Sequence, residues 1–454
     1  MKTIAFHNLG CKVNSYEADV MQQMLQNSNY EIVQFEQKAD IYVINTCSVT
    51  NIADRKSRQM IHRASKANPD AVVVAVGCYV QADALNIAQD ESVDLLIGNN
   101  RKKDIAEILD EYFEHREYAA PEDDEKTANY LRKTLGNTTV VDVKKVDYED
   151  ALLSETAEHT RAYIKIQDGC NRFCSYCIIP YTRGRVRSRK PDSIVNEVKE
   201  LCSKGYREFV LTGIHISSYG FDFKCDTPGE HILSLLARIN ETEGVERIRI
   251  GSFEPMIITE EFAKGLAQID KLCPHFHISL QSGCDETLKR MNRRYTSAEY
   301  EERVRILRNV FPEAAITTDV IVGFPGETEE EFNKTTEFLK RVNFCEMHIF
   351  KYSKRKGTVA ASMDGQIDES VKSLRSDVCE VIERKQSEEF RKRFIGRTVS
   401  VIFEEEKEIL GKKYWVGYTP EYIRVAYECN ENMQNVSANI EIVSMITPEI
   451  ALGK

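Results

Sequence analysis

No run of apolar residues in this 454-residue chain approaches the roughly 18 that a membrane span requires; Ala71–Val76 is among the longest. The opening Met-Lys-Thr-Ile-Ala-Phe-His-Asn has no apolar h-region of the kind a secretory signal carries and reads as a first strand. The expectation is a cytoplasmic protein without a membrane partner. An excess of positive charge is also missing: the formal net charge is −11. That excludes a surface coated for bulk nucleic-acid binding, although a local basic patch remains compatible with it. A disulfide framework is excluded as well, because thirteen cysteines, an odd number, in a cytosolic chain point to metal or redox chemistry. Length, 42% hydrophobic and 29% charged residues describe a globular protein of several domains.

What the chain does have is cysteine in pattern. Cys170, Cys174 and Cys177 stand as C-x3-C-x2-C in Gly169-Cys-Asn-Arg-Phe-Cys-Ser-Tyr-Cys, directly after the apolar run Tyr163–Ile166. Three thiolates at this spacing can hold three corners of an iron–sulfur cube, for which four cysteines are the usual complement. One iron is then open to a small molecule. The competing reading is a zinc knuckle, but structural zinc takes four protein ligands, and no second cysteine pair follows nearby.

The first hundred residues alternate strand and helix. Strands are expected at Thr3–His7, Ile41–Asn45, Ala71–Val76 and Asp94–Ile97, and helices at Ser15–Gln26, Ile52–Lys66 and Lys102–Phe113. Such alternation predicts a doubly wound parallel sheet. Cys11, Cys47 and Cys78 each follow one of the first three strands, at intervals of 36 and 31 residues. Open α/β sheets bind ligands beyond the carboxyl ends of their strands, so three loops converge on one edge. A second three-cysteine cluster is one reading; three buried small hydrophobes is the other.

From His115 to about His159 the periodicity weakens. Pro121–Glu125 is charged and turn-like, and Lys133–Asp147 suggests a short hairpin in a linker. Beyond it, strands are expected at Glu208–Thr212, Glu246–Ile250, His275–Leu280, Ala315–Val322 and Glu346–Phe350. Helices are expected at Asp192–Ser203, His231–Asn240, Glu260–Ala267, Ala298–Asn309 and Glu329–Arg341. Counting the strand before Cys170, about six βα units predict a partial (β/α)6 barrel with active groups on its carboxyl-end loops. Thr212-Gly213, Ser279-Leu-Gln-Ser-Gly283 and Asp319-Val-Ile-Val-Gly323-Phe-Pro325-Gly-Glu327 are three such loops. Thr328 and Glu331 form a capping box after the last.

A long helix is expected over about Glu369–Arg393, and short alternating runs with Gly411, Gly417 and Pro420 then predict a small β-barrel. Tyr414, Trp415, Tyr418 and Tyr422 are either base-stacking platforms or barrel core. From Glu388 onward 9 Lys/Arg face 11 Asp/Glu, so charge gives no support to RNA binding there.

The cysteine loop with Tyr176 before its last cysteine resembles the signature of radical S-adenosylmethionine enzymes. Gln167–Gly184, Leu280-Gln-Ser-Gly-Cys-Asp and Ile321-Val-Gly-Phe-Pro-Gly-Glu-Thr resemble more specifically the methylthiotransferases of that class, as does the N-terminal Gly-Cys, Thr-Cys, Gly-Cys series. Leu9-Gly-Cys-Lys-Val-Asn-Ser-Tyr-Glu17 is similar to the MtaB-type branch, associated with N6-threonylcarbamoyladenosine at tRNA position 37. Sister branches act on N6-isopentenyladenosine in tRNA or on a ribosomal protein.

The resemblance implies four segments: an N-terminal cluster domain at 1–114, a linker at 115–155, a radical core at 156–386 and a TRAM-like barrel at 387–451. It implies a [4Fe–4S] cluster on Cys170, Cys174 and Cys177 that binds S-adenosylmethionine and yields a 5′-deoxyadenosyl radical. A second [4Fe–4S] cluster on Cys11, Cys47 and Cys78 would carry the sulfur. The substrate implied is tRNA bearing threonylcarbamoyladenosine, methylthiolated at C2, with unnamed electron and sulfur donors. Tyr176, Gly213, Gln281, Asp319, Gly323 and Pro325 are the implied cofactor contacts. The first strand-end loop here reads Leu-Thr-Gly-Ile-His where Gly-Gly-Glu is common, which leaves open the group that meets the cofactor's amino end.

Two basic groups follow active-site loops: Arg183, Arg185 and Arg187, with Arg189 and Lys190 beyond them, and Arg293 with Arg294, preceded by Lys289 and Arg290. They read as grips for tRNA phosphates or as a solvated face. The other seven cysteines read as packing or surface residues. The rival from another class is a non-catalytic iron–sulfur protein that binds RNA or carries electrons.

Overall fold

Two runs of mainly β-branched residues, Ile-Tyr-Val-Ile-Asn-Thr and Val-Val-Val-Ala-Val-Gly, are buried at every position. Strands apolar throughout belong in the middle of a parallel sheet covered on both faces, and that is where they lie. The computed structural model describes residues 1–118, 140–143, 148, 150, 153, 160–223 and 230–454. The chain forms two compact units: 1–157 with 165–197 and 353–361, and 158–164 with 198–352 and 362–454.

In the first unit the order of elements is β1 (Thr3–Asn8), α1 (Lys12–Asn27), β2 (Glu31–Val33), β3 (Ile41–Thr46), α2 (Asn51–Ala67), β4 (Val72–Gly77), α3 (Cys78–Ile87), β5 (Leu95–Ile97) and α4 (Ile105–Tyr118). The sheet order is β2-β1-β3-β4-β5, all parallel. Val72, Val74 and Val76 pack to one face with Met21, Leu25 and Leu109. Val73 and Ala75 pack to the other with Ile61, Ala64 and Val80. This period-two division of one strand between two helical layers is the doubly wound arrangement expected. The sequence reading missed β2, only three residues long, and α3, whose Asp83 leaves helical geometry. Residues 99–104, partly assigned to the last helix, form a 3-10 turn before it.

The same unit contains the end of β6 (Arg161–Asp168), the cysteine loop, α5 (Ile179–Thr182) and the two-residue β7 (Arg187–Ser188), which pairs antiparallel with Gln167 and Asp168. Next comes α6 (Pro191–Ser203). Pro121–Glu125 lies outside the described residues, as does the expected hairpin over Lys133–Asp147 apart from 140–143.

The second unit continues with β8 (Glu208–Gly213), α7 (Glu230–Asn240), β9 (Arg247–Ile250), α8 (Glu260–Leu266), β10 (His275–His277), α9 (Asp285–Arg290), α10 (Ser297–Val310), β11 (Ala315–Val322), α11 (Glu329–Val342) and β12 (Glu346–Lys351). β8 and β9 pair parallel, as do β10 with β11 and β11 with β12. Parallel bridges Ile248–Leu272 and Phe253–Ile278 connect the two groups of strands, as a (β/α) barrel wall requires. Strand β10 is shorter than expected, three residues instead of six. The Thr328–Glu331 capping box at α11 is present in both directions.

After α12 (Glu369–Lys392) come β13 (Thr398–Ile409), β14 (Lys412–Tyr418), β15 (Arg424–Tyr427), β16 (Ser437–Thr447) and β17 (Ile450–Gly453), closed in the order β13-β14-β15-β17-β16. Phe390 and Phe394 share a core with Val401, Phe403, Val425 and Ile442, so the helix seats the barrel. Buried arginines from the (β/α) strands fasten it further. Arg247 donates to the Tyr418 carbonyl at 2.7 Å, and Arg249 to those of Thr419 and Pro420 at 2.6 Å.

Candidate functional site

Cys11, Cys47 and Cys78 stand at the carboxyl edge of the first sheet, where β1 and β3 flank its topological switch point. Cys11 is the N-cap of α1 and Cys78 is the first residue of α3. The preceding glycines have the left-handed backbone this turning requires: Gly10 at φ +115° and Gly77 at +107°. A Cβ on Gly10 would sit 3.2 Å from the Cys47 sulfur, so a bare backbone lets these loops meet. Burial pushes the Cys47 thiol up to about 11, and the charges of Cys78 and Cys11 add to the rise. Loss of the thiol proton therefore calls for a cation, and metal binding supplies one.

The central loop is built as tightly. Gly169 (φ +71°) has no room for a Cβ, which would lie 1.9 Å from the Arg185 carbonyl. Cys170 N–H donates to the Gly184 carbonyl at 3.0 Å, and Cys177 N–H to that of Cys174, also at 3.0 Å. The Cys170 sulfur accepts the Arg172 N–H at 3.4 Å. Cys170 is buried, Cys174 and Cys177 are half-buried, and Tyr176 is half-buried between them.

Both cysteine sets lie in the first unit, with a buried ionic nest between the elements that carry them. Glu17, on α1, accepts from Lys102 at 2.5 Å, Lys165 at 2.6 Å and Arg183 at 2.8 Å. Asp168 accepts from Lys165 at 2.7 Å and Arg183 at 3.2 Å, with Arg187 at 3.6 Å. Burial raises the Glu17 pKa, but Arg183, Lys102 and Lys165 outweigh it and hold the carboxyl well below its ordinary value. Burial likewise opposes Asp168, and Lys165 and Arg183 bring it down. Arg183 also donates Nε–H to the Cys78 sulfur at 3.3 Å and Nη2–H to Asn14 at 2.7 Å. Asn99 donates to the same sulfur at 3.4 Å.

This corrects the expectation for the first basic group. Arg183 is 1% exposed and Arg187 8%, both within the nest, so neither is presented to RNA. Arg189 is also buried, on Glu197 at 2.6 Å and Asp150 at 2.8 Å. Arg185 alone of the three proposed here is exposed, its guanidinium 5.2 Å from the Phe173 ring centre. In the second group Arg293 is held by Glu254 at 2.6 Å and Arg290 by Glu331 at 2.5 Å, while Lys289 and Arg294 are exposed.

The expected cofactor contacts other than Tyr176 belong to the second unit. Gly213 ends β8. Gln281 has a left-handed backbone, φ +73°, rare for a residue with a side chain, and bridges to β11: its N–H donates to the Asp319 carbonyl at 2.9 Å. Gly323 (φ +70°) donates N–H to Glu327 at 2.7 Å, and Pro325 beside it is buried. Asp319 lies 3.3 Å from His277 Nε2, whose other nitrogen is paired with Thr317 at 2.9 Å. With His348 these form a polar trio absent from the sequence reading, its ligand atoms within 4.8 Å of one another. The tail aromatics are not free platforms. Tyr414 is buried, and Tyr418 and Tyr422 stack at 4.7 Å with Arg161 over both.

Glu17, Asn14, Lys102, Lys165 and Asp168 are site residues that pattern reasoning passed over. The signal was available, because Asn14 and Glu17 belong to the Leu9–Glu17 motif and Asp168 adjoins the cysteine loop.

A model of the radical SAM superfamily matches residues 164–339, and one described as uncharacterized protein family UPF0004 matches residues 3–98. The chain is 40% identical over 98% of its length, and 94% of the relative's, to the threonylcarbamoyladenosine tRNA methylthiotransferase MtaB of Bacillus subtilis. With the MtaB of Aquifex aeolicus identity is 40% over 90% of this chain and 95% of that one. The tRNA-2-methylthio-N(6)-dimethylallyladenosine synthase of Clostridium tetani is 34% identical over 89% of this chain and 86% of its own. Among solved structures, the radical S-adenosylmethionine methyltransferase TsrM of Kitasatospora setae shares the fold at TM-score 0.55 and 16% identity, over 77% of this chain and 73% of that one. Through both cysteine-bearing regions, therefore, this chain belongs to the methylthiotransferase family of radical S-adenosylmethionine enzymes.

Proposed function

We infer that this protein methylthiolates C2 of N6-threonylcarbamoyladenosine in tRNA, using S-adenosylmethionine and two [4Fe–4S] clusters. The observation that carries the substrate is 40% identity along 98% of the chain to a relative named for that nucleoside. The residues fit the two groups. Each cysteine set offers three thiols, which suits a cube with one iron left for another ligand. The nest beside Cys78 brings four cationic side chains against two carboxylates, a surplus of positive charge that favours an anionic cluster. When bound, the clusters and S-adenosylmethionine supply the radical and sulfur chemistry that side chains lack.

The chain's own contribution is placement. Cys170, Cys174 and Cys177 hold the radical-generating cluster, and Cys11, Cys47 and Cys78 hold the one that delivers sulfur. Tyr176, Gly213, Gln281, Asp319, Gly323 and Pro325 are the residues proposed as cofactor contacts. Arg185, Lys190, Lys289 and Arg294 are the exposed cations of the two basic groups left to meet tRNA phosphates. The closed tail barrel stands in the place of a TRAM module. An electron donor and a sulfur donor complete the turnover. No described helix is long and apolar enough to cross a membrane, in keeping with a cytoplasmic enzyme.

Expression in a host whose tRNA carries both threonylcarbamoyladenosine and isopentenyladenosine, without methylthio groups, tests the assignment. Nucleoside mass spectrometry should show the methylthio derivative of threonylcarbamoyladenosine only. Methylthiolated isopentenyladenosine in its place would transfer the protein to the sister branch.

A further inference from the structure

We propose that Arg183 is a positioning residue for the N-terminal cysteine set, and that its guanidinium raises the reduction potential of the cluster held there. The proposal rests on the two-cluster reading above. Arg183 follows Cys177 by six residues, so the loop that carries one cysteine set delivers a buried charge to the other.

The geometry uses the whole fork. Nε–H reaches the Cys78 sulfur at 3.3 Å, Nη1 reaches Glu17 at 2.8 Å and Asp168 at 3.2 Å, and Nη2 reaches Asn14 at 2.7 Å and Glu17 at 3.1 Å. Two carboxylates and an amide fix the plane of the guanidinium, and only Nε is left to face the sulfur. A lysine could supply the charge, but it could not supply this directed set of bonds. At 1% exposure the charge is unscreened by solvent. Cluster potentials respond to hydrogen bonds at their sulfurs and to nearby charge. A cation that donates to a thiolate stabilises the reduced, more negative cluster, and its removal therefore lowers the potential. A seat of this kind lets the sulfur-bearing cluster differ in potential from the radical-generating one, although both lie in one unit.

The test separates the clusters. A Cys170→Ala, Cys174→Ala, Cys177→Ala background retains only the N-terminal set, and redox titration followed by electron paramagnetic resonance reads its midpoint. Adding Arg183→Gln should lower the reduced-to-oxidised ratio at a fixed potential about tenfold, which is about 59 mV for a one-electron couple. Arg183→Lys should lower it by less. The same Arg183→Gln change in a Cys11→Ala, Cys47→Ala, Cys78→Ala background should leave the central cluster's midpoint in place. An unchanged N-terminal midpoint, or an equal shift of both clusters, overturns the proposal. If Arg183→Gln does not fold, Arg183→Lys decides alone, and wild-type behaviour there overturns it. Failure of the Arg183-intact background to bind iron would instead refute the cluster reading itself.

Discussion

At the scale of single residues, the weightiest group outside the cysteines is Glu17. Three cations share its carboxylate in a buried site, and removing one partner of such a set leaves the others uncompensated. Glu17→Gln should therefore destabilise the protein by about 3–5 kcal/mol. The pH dependence follows from the direction of its shift. A depressed folded pKa contributes stability that is full above the ordinary carboxylate pKa of about 4.3 and is lost as pH falls toward the folded value. The difference between wild type and Glu17→Gln in denaturant unfolding should thus be flat from about pH 5 to 8 and shrink below about pH 4. A difference that grows on acidification would contradict the nest. Residue roles were only partly legible. The cysteines announced themselves by spacing and by strand ends. Arg183 and Arg187 were misread as surface charges, because an arginine's burial depends on partners such as Glu17, 166 residues away along the chain.

At the scale of elements, local pattern served well wherever one face or both faces had to be buried. β3, β4 and β11 fall within a residue or so of their expected bounds, because runs of Val and Ile have few alternatives inside an α/β core. The helix α11 announced its own start through Thr328 and Glu331. Pattern failed where an element is very short, as β2 is, or interrupted, as α3 is at Asp83. The cysteine loop depends on backbone geometry that no side-chain pattern displays. Gly169→Ala would place a Cβ 1.9 Å from the Arg185 carbonyl at a positive φ, forcing the loop apart and breaking the Cys170 N–H bond to Gly184. Iron should fall from about eight atoms per chain to about four, with 5′-deoxyadenosine formation lost. Full iron together with full radical formation would show that the loop does not need this turn.

For the molecule as a whole, the architecture was legible as a succession of a doubly wound sheet, a partial (β/α) barrel and a small closed β-barrel. The assignment of both cysteine sets to one compact unit was not, since 165–197 clusters with residues 1–157 although β6 and β7 belong to the sheet of β8 and β9. The ionic nest gives the physical reason: charges from α1, the 3-10 turn, β6 and the segment after Cys177 satisfy one another in a buried space. The central claim is a division of labour, in which Cys170, Cys174 and Cys177 serve radical formation and Cys11, Cys47 and Cys78 serve sulfur delivery. The most direct measurement takes a Cys11→Ala, Cys47→Ala, Cys78→Ala variant, reconstituted anaerobically with iron and sulfide. It is supplied with dithionite, S-adenosylmethionine and tRNA containing threonylcarbamoyladenosine. Continued 5′-deoxyadenosine formation with no methylthiolated nucleoside is the expected result; methylthiolated product at the wild-type level would refute this division of labour.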